Sequence, residues 1–390
     1  MLLEFCLGSW SESVLNCKLN EILRTILWIC FFRKIPTNCF KVLAEHPCCL
    51  FFGLICVKTS SCMNLPIADL HCDLLSFLAK VPKADPFDPD QIACAFPWLK
   101  AGGVRAQVMA IYTDVHPESM ELASQQADIF VQLLEDHPET VCRWDGAFQQ
   151  HLESTEQLGI IASIENAAGI GTATATWNEI YAQFDALLEK VGSLAYISLT
   201  HHTENRFGGG NYTEGIGLKA DGKRLLDYLA GKRIPIDLSH TSDLLAEGIL
   251  TYIDRHHLPI PVLASHSNFS SIWNHKRNLT DEFAQEIIHR NGILGVNFLR
   301  AFLDNEVPEK LFEHLLYGSK LSEQAIAFGA DFFYTQDFPD PSRHPIYFPL
   351  AENASKYPSI LEHISQELSE GQLGKLAYEN VFYFYQNLWS

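Results

Sequence analysis

The feature that most constrains this chain is an alternation repeated eight times. Short runs of β-forming apolar residues occupy 67–71, 105–112, 160–164, 195–200, 234–238, 261–264, 293–298 and 327–332. Between them lie longer stretches with helical periodicity, among them 118–135, 177–191, 222–231, 241–256, 280–291 and 322–328. A strand followed by a helix and a strand is the pattern of parallel pairing, because the crossover helix returns the chain to the same edge of the sheet. Eight such units predict an α/β fold of the (β/α)8 TIM-barrel type. A doubly wound open sheet is the competing arrangement. A barrel needs about 250 residues, so the 390-residue chain accommodates one barrel domain with decorations. A Pro-rich loop over 335–357 and a final helix over 372–388 complete the pattern.

The strands end in polar clusters, which favours the barrel over the open sheet. These ends read Asp69-Leu-His-Cys-Asp73, Glu165-Asn166, Thr200-His201-His202, Asp237-Leu-Ser-His240, Ser265-His266-Ser267, Asn297 and Asp331. Barrel active sites are assembled at the C-terminal ends of the strands, so polar residues recurring there describe one central site.

His71 and Asp73 form an H-x-D pair. Residues two apart on a strand share a face, so both can reach one cation, while Cys72 between them should point away and pack. Taken singly, such a pair is as compatible with a satisfied structural histidine. Glu165 ends a nearly continuous apolar strand, where a carboxylate must be paired with a cation or bind metal. His240 and His266 end two further strands. Together the five side chains describe a two-metal hydrolytic site with Glu165 suited to bridge. His202 is a further candidate ligand. Arg277 offers a planar fork for a carboxylate, or opens a helix at the surface. His116, His137, His151, His256, His257, His289, His314, His344 and His363 fall in loops or on helices and are expected at the surface. The segment 204–211 is expected to form a flexible rim loop from which Arg206 could contact substrate.

The matching runs are Ala68-Asp-Leu-His-Cys-Asp73, Ser163-Ile-Glu-Asn166, Leu199-Thr-His201, Asp237-Leu-Ser-His240, Ser265-His-Ser267, Lys276-Arg-Asn278, Gly295-Val-Asn-Phe298 and Gly329-Ala-Asp331. In order and spacing they resemble the membrane (renal) dipeptidase family of binuclear zinc metallopeptidases, from about residue 66 to the C-terminus. The resemblance implies two Zn2+ per chain, one on His71 and Asp73, the other on His240 and His266, with Glu165 bridging. It implies hydrolysis of free dipeptides by a hydroxide shared between the ions, with His201 stabilising the tetrahedral intermediate. Arg277 would hold the substrate's C-terminal carboxylate, and Asp331 would meet its amine and pass a proton to the leaving group. The partner is then a small dipeptide, and a homodimer is common in the family. Several positions depart from the family pattern. Asn166 and Ala167 stand for two glycines, His202 for an asparagine, Phe302 for a tyrosine, and Asp331-Phe-Phe-Tyr334 lacks a second aspartate. An amidohydrolase-type barrel acting on a cyclic amide or phosphoester, and a catalytically silent barrel that binds peptides or metal, are the competing functions.

Residues 1–62 read differently. They hold eight of the eleven cysteines and show no sustained period. Their most apolar runs are too short for a membrane-spanning helix, which needs about 20 residues. They are expected to be a poorly structured extension outside the native protein, with Met63 as the start and 63–390 as one domain. Three scattered cysteines in that domain suggest an intracellular, cytoplasmic protein. The net charge of −19 argues against nucleic acid or an anionic membrane as the main partner.

Overall fold

The computed structural model describes residues 65–146, 156–336 and 338–390. The extension over 1–62, and the start at Met63, lie outside these residues. Eight strands form the central sheet: β1 (Ile67–Cys72), β2 (Val104–Tyr112), β3 (Leu158–Glu165), β4 (Leu194–Ser198), β5 (Ile236–Asp237), β6 (Val262–Leu263), β7 (Leu294–Val296) and β8 (Ile326–Phe328). All their pairings are parallel, along the path β6-β5-β4-β3-β2-β1-β8-β7. A parallel bridge from Ala264 to Leu294 joins the two ends of that path, so the sheet is a barrel and the open-sheet alternative falls. One further strand, Val141–Arg143, pairs with the start of β3 off the ring. Three residues are too few to leave a period in the sequence.

Helices cover the outside because each carries one apolar stripe. In Trp177–Val191 the buried positions are Ile180, Phe184, Leu187 and Val191, spaced to fall on one face. Fully burying a side chain of that size contributes about 1.5–3 kcal/mol. Thr176 caps this helix in a reciprocal capping box with Glu179, and Ser242 and Thr280 cap Asp243–His256 and Asp281–His289. One expected helix is corrected. Residues 322–328 contain β8, and the helix before it is Lys310–Leu321, which buries Leu311, Phe312 and Leu315. The apolar run 325–328 belongs to the barrel wall, where its side chains are enclosed on both faces.

The 335–357 segment contains three short 3-10 turns, Pro341–Arg343, Pro349–Ala351 and Ala354–Lys356. The chain then ends in Tyr357–Ile364 and a nearly continuous helical run from Glu370 to Trp389. Tyr385 and Val381 from that run pack with Trp144, Leu70, Val108 and Ile161 in the barrel's inner cluster. Arg233, just before β5, donates to the carbonyls of Trp389 and Ser390. The terminal helix therefore sits against the N-terminal ends of the strands and leaves the C-terminal ends open. Among the described residues no helix is long and apolar enough to cross a membrane.

Candidate metal centre

β1 shows how the sequence aims its ligands. Ala68 and Leu70 belong to the inner cluster, and strict alternation would send His71 outward. The register of β1 against β2 shifts between Asp69 and Cys72. His71 thereby faces the barrel interior, where Nδ1 lies 2.6 Å from the Tyr196 hydroxyl. Cys72 packs in the outer cluster with Phe77 and Leu99, as expected. Asp73 lies one residue past the strand as the N-cap of Leu74–Lys80. The H-x-D pair thus meets across a strand end rather than along an extended strand, with His71 Nε2 3.8 Å from Asp73 Oδ2.

The other predicted side chains converge on the same point. Glu165, last residue of β3, turns Oε2 toward His71 Nε2 at 3.4 Å and Oε1 toward His240 Nε2 at 2.9 Å. His266 Nε2 lies 3.5 Å from that second oxygen and 2.7 Å from His240 Nε2. Asp331 Oδ1 is 3.7 Å from His71 Nε2. His240 and Asp331 both have a left-handed backbone, φ 66° and 62°, a conformation that costs a non-glycine residue and is held by its surroundings. Asn166, beside Glu165, is left-handed as well, at φ 73°. Asparagine is among the few side chains that tolerate this, so a non-glycine residue is accommodated there. Its amide donates to Thr113 O at 2.8 Å and accepts from Ala168 N and Asn205 Nδ2.

Two buried aspartates, not singled out from the sequence as site residues, brace these ends. Asp69 accepts from the backbone of His71 and Ala330 and from Gln107 and Tyr357. Asp237 accepts from Ser239 N, Ser265 N, Ser198 Oγ and Ser265 Oγ. Asn297 donates to Asp331 Oδ2 at 2.7 Å. A legible signal existed in the aspartates set two positions before His71 and three before His240 on otherwise apolar strands.

The arrangement fits a cation. His71 Nε2 and Asp73 Oδ1 are buried and have no hydrogen-bonding partner among the described residues. Four sets of nitrogen and oxygen atoms that could hold a metal occur around this point, including His71–Asp73–Glu165 and Glu165–His240–His266. Imidazole nitrogens and carboxylate oxygens converging on one point are the donor set of zinc, and Arg277 Nη2 reaches the same point, 3.1 Å from His240 Nε2.

Without an ion, burial dominates the electrostatics. It pushes the Glu165 carboxyl up, with His71 opposing and Asp73 adding to the rise. Asp331 is pushed up to about 7 by burial, against His71 and with Asp73 and Glu165. Burial also drives His201, His240 and His266 well below the ordinary imidazole range. For His71 burial works in the same downward sense, but Tyr196, Glu165 and Asp73 outweigh it and the group rises.

His201 and His202 flank this centre. His201 packs edge-on to Tyr112 and lies 4.2 Å, ring to ring, from His240. His202 Nδ1 sits 3.4 Å from His240 Nδ1, on the side of that ring away from Glu165. Arg277 is buried, not at the surface. Its Nη1 donates to Ser267 Oγ at 2.8 Å, its Nη2 donates to His266 O at 2.9 Å, and its guanidinium lies 5.5 Å from the Phe302 ring. Two other expectations are corrected. Arg206 pairs with Asp221 and donates to the carbonyls of Thr172 and Ala175, and Phe207–Asn211 is buried, so 204–211 is a packed segment and not a flexible rim. His314 is fully buried, between Phe269 N and Leu303 O. Above the centre opens a cavity of about 820 Å3, lined by Asp73, Glu165, His201, His240, Phe302 and Asp331 among others.

The sequence pattern of the membrane dipeptidase family (peptidase family M19) matches residues 59–387. The chain is 26% identical over 230 residues to Dipeptidase verJ of Clonostachys rogersoniana, an alignment that spans 56% of this chain and 55% of that protein, about half of each. It is 27% identical over 196 residues to an uncharacterized Klebsiella pneumoniae protein from the pqqA 5′ region, covering 46% of this chain and 68% of that one. Among solved structures, the dipeptidase AC of family M19 superposes with TM-score 0.68 at 20% identity, covering 84% of this chain and 99% of the other. A Rhodobacter sphaeroides metallopeptidase, liganded with a phosphinate mimic of L-Ala-D-Ala, superposes with TM-score 0.69 at 21% identity, covering 83% and 99%. At these identities the superpositions establish the fold. With the family pattern running through nearly all of the barrel, the chain belongs to the membrane dipeptidase family, peptidase family M19.

Proposed function

We propose that the protein is a zinc-dependent dipeptidase that hydrolyses the peptide bond of free dipeptides. One observation carries the reading. The two oxygens of Glu165 face different groups, one toward His71 and the other toward His240 and His266, as a carboxylate shared by two cations would. His71 and Asp73 would hold one zinc ion, His240 and His266 the other, and Glu165 both. When bound, the pair would supply a water activated near neutral pH and polarise the scissile carbonyl.

The chain's own residues do the rest. Arg277 offers its guanidinium to the substrate's C-terminal carboxylate. His201, kept neutral by burial, presents an N–H to the oxyanion. Asn297 occupies Asp331 Oδ2, so Oδ1 is the oxygen that meets the substrate amine and carries a proton to the leaving nitrogen. A fixed charge for each end of the substrate measures its length and favours dipeptides over longer chains. The test is a panel of unprotected L-L and L-D dipeptides assayed on zinc-loaded protein with and without chelator. Chelator-sensitive cleavage is expected, and failure to cleave any member would remove the reading.

A further inference from the structure

The charges lining the cavity run against those of the chain. Over the whole sequence 47 acidic residues outnumber 28 basic ones. Apart from Asp73, Glu165 and Asp331 in the metal centre, the charged residues of the cavity wall are Lys80, Arg300, Arg343 and Asp340, three cations to one anion. Lys80 has no carboxylate within 4.0 Å among the described residues, and its ammonium sits 4.8 Å over the Tyr112 ring. Arg300 spends one nitrogen on the carbonyls of Ser342 and Arg343 and makes no ion pair among the described residues. Among the described residues Arg343 pairs only with Asp340, with Nε at 4.0 Å. Cations gathered on one cavity wall attract an anion, though solvent screens Arg343, whose side chain is 47% exposed.

Their neighbours say which part of a substrate they would meet. His275 Nδ1 accepts from the backbone N–H of Arg277 at 3.1 Å, and its ring lies 5.1 Å from that of Phe302, which also underlies the Arg277 guanidinium. Arg300 Nη2 donates to Arg343 O at 3.0 Å, so the two arginines lie together. Arg300 belongs to the same short helix as Phe302. Arg300 and Arg343 therefore stand on the side of the cavity where Arg277 would take the C-terminal carboxylate.

We propose that the preferred dipeptides carry an acidic side chain, Asp or Glu, on their C-terminal residue, and that Arg300 and Arg343 are the specificity-determining residues that receive it. This rests on the dipeptidase reading. The side-chain carboxylate of such a residue lies a few bonds from the main-chain carboxylate, so one substrate end brings two anions to two groups of guanidinium donors. Lys80 adds to the attraction without selecting a position.

The experiment compares kcat/KM of the zinc-loaded full chain on Ala-Glu, Ala-Gln, Ala-Lys and Glu-Ala, each with L and D C-terminal residues. Ala-Glu is expected to exceed Ala-Gln by about tenfold, the size of one charge-assisted hydrogen bond, and to exceed Glu-Ala as well. In Arg343→Ala the Ala-Glu to Ala-Gln ratio should fall toward one, and in Arg343→Glu the order of Ala-Glu and Ala-Lys should reverse. A panel cleaved with no preference for Ala-Glu overturns the inference and leaves the dipeptidase reading standing. Wild-type ratios retained in both Arg343 and Arg300 variants overturn the assignment to these residues. A panel cleaved nowhere removes the dipeptidase reading and this inference with it.

Discussion

The Tyr196 hydroxyl sits 2.6 Å from His71 Nδ1 and donates its own proton to Leu70 O at 3.0 Å. Its oxygen can therefore only accept from His71, which fixes the proton on Nδ1 and leaves the Nε2 lone pair aimed at Asp73 and Glu165. Ser265 does the same for His266, since its hydroxyl donates to Asp237 Oδ2 at 2.6 Å and faces His266 Nδ1 at 2.6 Å. Partners of this kind orient ligating imidazoles, and losing one typically costs about 10–100-fold in metal affinity. Tyr196→Phe keeps the ring that packs in the barrel and removes the hydroxyl, with both its contact to His71 and its donation to Leu70 O. It is expected to weaken zinc binding by that factor, read by competition with a chromogenic chelator, with the thermal midpoint of the metal-free protein little changed.

Glu165 and Arg277 should fail in different ways. Glu165→Gln keeps the shape but leaves a single acceptor oxygen where two are used, so zinc content should fall from near two per chain to one or less, and kcat with it. Arg277→Ala removes a donor fork and no proposed ligand. It should retain both ions while KM rises by about tenfold or more, and Arg277→Lys should restore little, because an ammonium cannot reproduce the planar pair of donors. Elemental analysis beside steady-state kinetics separates the two. Full turnover with two ions in Glu165→Gln would sink the bridging role.

Much of this candidate site was legible because its residues sit at strand ends, where a polar residue interrupts an apolar run. His71, Glu165, His240, His266 and Asp331 could each be placed from that interruption alone. What orients them could not. Tyr196 and Ser265 act through a proton whose direction depends on Leu70 O and Asp237, each of which comes from another strand. The fold shows the same division. The long amphipathic helices, such as Trp177–Val191, were readable by period, whereas 322–328 was misread because the four-residue apolar run 325–328 fits a helix turn as well as a buried strand. His314 was misplaced for a related reason. It lies on a helix of mixed polarity, and only tertiary packing decides that its face is inward.

That buried imidazole gives a pH dependence away from the metal centre. Burial pulls His314 down to about 4, with the Leu303 carbonyl opposing. A base whose folded pKa lies below its unfolded value of 6.5 stays neutral in the fold while the unfolded chain takes up a proton. Stability from this group is complete above 6.5 and declines as the pH falls toward about 4, by roughly 3 kcal/mol in all. Urea midpoints of metal-free protein between pH 7 and 4.5 should fall less steeply in His314→Gln than in the wild type. Parallel curves would show that His314 does not titrate as its burial requires.

The last prediction concerns how the barrel wall holds His266. Gly295 follows the first residue of β7 and Gly329 follows β8, and a Cβ built on either would collide with the carbonyl oxygen of Ser265. On Gly329 it would also lie 3.1 Å from His266 Cα. The obstacle is backbone, so no side-chain rotation relieves it, and the segment bearing Ser265 and His266 must move. Overpacking of this sort costs about 1–3 kcal/mol or more, and here the strain falls on a residue whose nitrogen lies 2.7 Å from that of His240. Gly329→Ala should therefore lower both the melting temperature and the zinc content. Gly371→Ala, in the helix Glu370–Gly374 with nothing within 4 Å of the added methyl, should leave both as they are or raise stability slightly by stiffening the unfolded chain. Calorimetry and elemental analysis on the two variants decide the matter. If Gly329→Ala kept a wild-type metal content at a wild-type melting temperature, the close approach of these strands would not be what positions His266.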